Sequence, residues 1–161
     1  MKTFIVLVVL AGLGMAGGCS RIFGYEEVLS ETYATYSEAA TKRAFESGWL
    51  PKEMPRSARS IVEVHNVDTG ELWLRFRYGS GDIAGLLANC AARPAPDLPD
   101  RRRTQRSTPW WPEYLAKDSQ GPSPMPLGLY SCPKMSHAGS TYPAGIAVDR
   151  ETETVWYWIT R

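Results

Sequence analysis

Residues 60–78 read SIVEVHNVDTGELWLRFRY, and this stretch decides the fold. Ser60 to Val67 is rich in β-branched residues and reads as a strand. Asp68-Thr69-Gly70-Glu71 is turn chemistry, with Gly70 free to take a positive φ. Leu72, Leu74, Phe76 and Tyr78 then alternate with Trp73, Arg75 and Arg77. A period of two sends the first set to an apolar inner face and the second to an aromatic and cationic outer face. Together the two runs make a β-hairpin.

A second hairpin closes the chain. Gly145 to Asp149 and Thr154 to Thr160 flank Arg150-Glu151-Thr152, with Val155, Tyr157 and Ile159 on one side and Trp156 and Trp158 on the other. Leu127 to Cys132 supplies a fifth strand. Two helices are expected between and before these runs. The first spans 36–47, opened by a capping box of Thr35 and Glu38 and ended by Gly48. The second is opened by Ser80 and Asp82, with Ile83, Leu86, Leu87 and Cys90 on one stripe. Between them Pro51 and Pro55 bar helix and leave a stiff loop pinned by Trp49, Leu50 and Met54. The expectation is an α+β domain: a largely antiparallel sheet of about five strands with two helices packed on it. No internal repeat of convincing length is evident.

The first residues read as an export signal. Lys2 is basic, Phe4 to Ala16 is uncharged and mostly apolar, and Gly17-Gly18 is small. The run is short of the ~20 apolar residues that span a bilayer. Ala16-Gly17-Gly18-Cys19 resembles the bacterial lipobox, with Ala16 where Leu is usual. That resemblance implies cleavage before Cys19 and acylation (palmitate among the chains) of its thiol. Ser20, where Asp would favour retention in the inner membrane, implies an outer-membrane anchor facing the periplasm. The expected organisation is a signal over 1–18, a tether over 19–31 and one domain over 32–161.

The full chain holds 18 basic and 17 acidic residues. Removing Lys2 with the signal leaves them equal, so no basic footprint points to nucleic acid. With Cys19 acylated, Cys90 and Cys132 remain, and in an oxidising compartment they are expected to form a disulfide.

Four groups of residues are candidates for chemistry. His65 with Asp68 has the form of a base and its orienter, against a plain turn in which Asp68 serves its own backbone. Cys132, His137, Cys90 and His65 make a four-ligand set, but with non-standard spacing, and oxidation removes the thiolates; no metal and no cofactor is expected. Gly79-Ser80-Gly81-Asp82 lacks the spacing of a phosphate cradle and reads as a strand-to-helix turn. The Arg101, Arg102, Arg103 and Arg106 cluster reads as a solvated loop, with anionic headgroups the alternative. The binding candidates are Trp73, Arg75, Arg77, Trp156 and Trp158, an aromatic and cationic face either open to a partner or covered by Trp110-Trp111.

Gly48-Trp49-Leu50-Pro51, Pro55-Arg56-Ser57-Ala58, His65-Asn66-Val67-Asp68-Thr69 and Trp73-Leu74-Arg75-Phe76 resemble a family of exported bacterial lipoproteins with no assigned activity. Tyr130-Ser131-Cys132 and Val155-Trp156-Tyr157-Trp158 extend the resemblance to the C-terminal part. It implies one exported domain and carries over no catalytic residue. The expected role is a non-enzymatic binding or accessory protein of the envelope. The alternatives are an inhibitor or immunity-type protein of an envelope enzyme, and a small cell-wall hydrolase using His65 and Asp68.

Overall fold

The computed structural model describes residues 27–79, 81–93, 98–100, 108–117, 119, 126–137 and 139–160. The expectations for the signal, Cys19, Ser20, Ser80 and the Arg101–Arg106 cluster lie outside the described residues.

Among the described residues there are seven strands and three short α-helices: β1 Val28–Thr35, α1 Tyr36–Thr41, α2 Ala44–Ser47, β2 Arg59–Asn66, β3 Leu72–Arg77, α3 Ala84–Leu87, β4 Ala91–Ala92, β5 Gly128–His137, β6 Ser140–Asp149 and β7 Thr154–Ile159. The strands form one sheet in the order β1-β2-β3-β7-β6-β5-β4, every pairing antiparallel. The sheet is therefore larger, and the helices smaller, than the five strands and two helices expected. Residues 28–31, expected as tether, are the start of β1, where Val28 pairs with Asn66 and Glu31 with Glu63.

The expected helix over 36–47 is broken. Thr35 does cap it, accepting from the Glu38 N–H at 3.2 Å, while Glu38 reaches back to the Ala34 N–H at 2.7 Å. Arg43 then takes φ 60°, and α2 restarts at Ala44. Ala39 and Ala44 are both buried in the core. Five residues apart, they would point to different sides of an unbroken helix. The break turns both onto the sheet and lets Tyr36 and Phe45 meet at 4.6 Å. Gly48, at φ 84°, ends α2 as expected of a left-handed cap. The second helix is also shorter than its stripe suggested, because Asp82 accepts from the Ser57 N–H instead of opening a long helix. Ile83 and Leu86 still bury, and Cys90 is bonded to Cys132.

The two hairpins repeat one another. Asn66 Oδ1 accepts from the N–H groups of Asp68 and Thr69, and Asp149 Oδ1 accepts from those of Glu151 and Thr152. Gly70 and Glu153, four residues after each acceptor, both take positive φ. His65 pairs with Leu72 as Val148 pairs with Val155. In the β3–β7 seam Leu72 meets Ile159, Phe76 meets Val155, and Leu74 meets Tyr157. Rotating one hairpin onto the other about the Leu74–Tyr157 pair reproduces that register. The outer strands follow, Tyr33 pairing with Ile61 as Cys132 pairs with Ala144. Six of the seven strands thus form two three-strand units about a pseudo-twofold axis, a repeat not legible in the sequence, and β4 is added at the β5 edge.

Period two divides the core into two layers. Ile61, Leu72, Leu74, Phe76, Ile146, Val148, Val155, Tyr157 and Ile159 face α1, α2, α3 and the 49–58 loop. Val64, Trp73, Ala147, Trp156 and Trp158 face Trp111 and Leu115, where Glu113–Leu115 makes one 3₁₀ turn. Trp111 anchors that segment by donating its Nε1–H to the Leu115 carbonyl at 2.9 Å and meeting the Trp158 ring edge-on at 5.8 Å.

Candidate functional site

The binding candidates divide in two. Trp73 and Trp158 are buried at 1 % exposure beneath Trp111, so they form core and not an open surface. The Trp110-Trp111 segment packs over this apolar side. Arg75, Arg77 and Trp156, by contrast, line one cleft of about 690 Å³ together with Ser60, Asp149, Glu151, Thr152 and Thr154.

The sheet register builds this cleft. Arg75 pairs with Trp156 and Arg77 with Thr154, so these four side chains leave the same face of β3 and β7. Ser60 joins them from β2, where the register with β3 shifts between Arg59 and Val62 and Ser60 takes φ 51°. The β6–β7 turn supplies Asp149, Glu151 and Thr152. The Arg75 guanidinium lies 5.1 Å from the Trp110 ring centroid, a cation–π contact. Neither Arg75 nor Arg77 has a carboxylate partner among the described residues. Nor does the buried Trp156 Nε1–H have an acceptor among the described residues. Asp149 is committed to its own turn. Burial pushes its carboxyl up, but the Thr152 hydroxyl, at 2.6 Å, and the Thr152 and Glu151 N–H groups outweigh that and hold it below the usual range.

His65 sits elsewhere, on the opposite face. Its Nδ1 is 2.5 Å from Glu63 Oε1, not near Asp68. Residues two apart on a strand share a face, which makes Glu63 the natural neighbour. Asp68 instead accepts from the Glu27 N–H at 2.9 Å, tying the start of β1 to the turn. The alternative reading of His65 with Asp68 is therefore corrected to Glu63–His65, and in the favoured plain turn the backbone acceptor is Asn66 rather than Asp68. Both are buried, His65 at 4 % and Glu63 at 2 % exposure. Trp49 stacks on the His65 ring at 3.7 Å and presents its other contacts to His137 at 4.8 Å. Burial pushes the Glu63 carboxyl up, against the opposing pull of the His65 hydrogen bond and charge, and Glu31 across β1 adds to the upward push. His137 in turn borders a cleft of about 720 Å³ with Glu46, Lys52, Ser136 and Thr141.

The remaining candidates resolve as structure. Cys90 and Cys132 are bonded to each other. No group of three or more His, Cys, Asp or Glu side chains suited to a metal occurs among the described residues. Gly79 and Asp82 both bind Ser57, Gly79 donating its N–H to the hydroxyl at 2.8 Å. That closes the would-be phosphate turn onto the 49–58 loop.

Residues 27–77 match the model of a bacterial family described as the YbbD head domain. The similarity covers β1, β2 and β3, the first of the two pseudo-equivalent units, and with them Arg75 and Arg77. None of the curated proteins or solved structures compared matches the chain.

Proposed function

We propose that this chain is a lipid-anchored bacterial envelope protein whose sheet domain binds a ligand or partner at the Arg75–Arg77–Trp156 cleft. The observation that carries the binding reading is a built cleft holding two arginines without carboxylate partners among the described residues. Arginine's planar fork suits oxyanion recognition. The Glu63–His65 pair does not favour hydrolysis in the same way, because Trp49 roofs it and Asp68 is elsewhere. The Cys90–Cys132 bond supports export, since such bonds persist in oxidising compartments.

Anchoring rests on Cys19. Several acyl chains, each methylene contributing ~0.8 kcal/mol on burial, would hold the domain at the bilayer. The test is fractionation of wild type and Cys19→Ala, with mass analysis of the N-terminal peptide. Wild type is expected in the membrane fraction with acyl mass on Cys19, and the variant in the soluble fraction. A variant that still sediments with membranes, or a wild-type peptide without acyl mass, overturns the anchor.

A further inference from the structure

The charges of the Arg75–Arg77 cleft are arranged for more than a simple anion. Two guanidinium groups stand on β3, one over Trp110. Asp149 lines the same cleft, but its oxygens already accept from three donors of its own turn. Glu151, at the rim, is exposed and has no cation partner among the described residues. The uncommitted charges are therefore two positive and one negative. The wall between them is Trp156, 7 % exposed with an unpartnered indole N–H, flanked by the hydroxyls of Ser60, Thr152 and Thr154.

A ligand bearing only an oxyanion would satisfy the arginines and be repelled by Glu151. A ligand bearing only a cation would meet the reverse. We propose that the cleft binds a zwitterion of the amino-acid type, its carboxylate held by Arg75 and Arg77 and its ammonium by Glu151. This rests on the reading of the chain as a binding protein and names the class of ligand. The chemistry is shared by a free amino acid and by a dipeptide with both termini free, and the volume of about 690 Å³ accommodates either.

The probes are four small molecules titrated into the full, disulfide-bonded chain by calorimetry: alanine, Ala-Ala, N-acetyl-Ala-Ala and Ala-Ala amide. The zwitterions are expected to bind at least about 10-fold more tightly than either capped form, and the stronger of the two identifies the source as free amino acid or free dipeptide. Arg77→Gln is expected to weaken the zwitterions about 10-fold or more, since each charge-assisted contact is a strong one. Glu151→Gln is expected to abolish the preference of the site for Ala-Ala over N-acetyl-Ala-Ala. Arg56→Gln, an arginine stacked on Tyr36 away from the cleft, is expected to change nothing. Arg77 is used because it is exposed, whereas loss of Arg75 also removes its contact with Trp110. Equal binding of the capped and uncapped forms, binding unaffected by both Arg77→Gln and Glu151→Gln, or no binding of any probe by the folded chain refutes the assignment. Cys19→Ala leaves the cleft intact, so loss of the anchor and failure of the ligand reading are separate results.

Discussion

Gly145→Ala tests the packing of the tryptophan layer most directly. Gly145 lies in β6 directly opposite Trp158 in β7. A Cβ built on it would overlap Cε2 and Cζ2 of the Trp158 indole and lie 2.5 Å from Nε1, where ordinary contact begins at 3.4 Å. The backbone is not the obstacle, since Gly145 is not among the positive-φ positions. Nor can the ring swing aside: Trp158 is 1 % exposed, with Trp111 edge-on and Trp73 paired across the seam. Overpacking in a close-packed core costs about 1–3 kcal/mol, and this overlap, on a rigid buried ring, belongs at the upper end. Replacing glycine within a strand returns about 0.5–1 kcal/mol through the unfolded chain. The net expectation is a loss of about 2 kcal/mol, or a Tm lowered by about 4–8 °C. Gly85→Ala is the matched control, because its Cβ meets nothing within 4 Å and it sits in α3. That variant gains about 0.5–1 kcal/mol from helix propensity. Urea unfolding followed by far-ultraviolet circular dichroism, disulfide intact, measures both. A Gly145→Ala variant within about 0.5 kcal/mol of wild type refutes the reasoning. So does a double-mutant cycle with Trp158→Leu that returns no coupling.

Other substitutions probe the remaining layers. Tyr157 is buried with its hydroxyl unpartnered and its ionisation pushed up by burial, with Glu53 adding to it; Tyr157→Phe is expected to stabilise by about 1 kcal/mol, and a loss in urea unfolding contradicts this. Glu63 carries a pH signature. Its folded value lies above the unfolded one, so the native state holds a proton the unfolded state has released, and stability falls as pH rises from 4.5 through the folded value. The advantage of Glu63→Gln over wild type should therefore grow as pH rises above 4.5, and a difference flat from pH 4 to 8 removes the argument. Asp149→Ala deletes three accepted hydrogen bonds and is expected to cost about 1–3 kcal/mol, whereas Asp149→Asn, which restores the chemistry of Asn66, costs less than half as much. Thermal melts of the pair decide it, and equal losses would show the turn acceptor to be irrelevant. Cys90→Ser with Cys132→Ser opens a loop with a sequence separation of 42, worth about 4 kcal/mol by chain entropy; a Tm unchanged against the oxidised protein contradicts that figure.

Both hairpins were legible because strict alternation ends in turn chemistry at Asp68-Thr69-Gly70 and again at Arg150-Glu151-Thr152. β1 was not. It is an edge strand, and of its eight residues only Tyr33 is buried, so no alternation marks it. The extension of β5 beyond Cys132 and of β6 before Gly145 was masked by Pro133, Gly139 and Pro143, residue types that disfavour a strand interior. The register shift between Cys132 and Met135 admits the first of these prolines. At the candidate site, residue identities were legible and exposure was not. Trp73 and Arg75 stand on the same face of β3, and only the fold places Trp111 over one and leaves the other at a cleft. The partner of His65 was within reach of the same period-two rule, which selects Glu63 over Asp68.

The seam between β3 and β7 has the form of an isologous contact, each edge meeting its own equivalent, yet both edges belong to one chain. In a homodimer such a contact would oblige the two sides to carry identical residues. Covalent linkage lifts that obligation: Arg75 corresponds to Trp158, Glu63 to Ile146 and His65 to Val148. One copy has thereby become the apolar buttress, and its twin is free to hold charge.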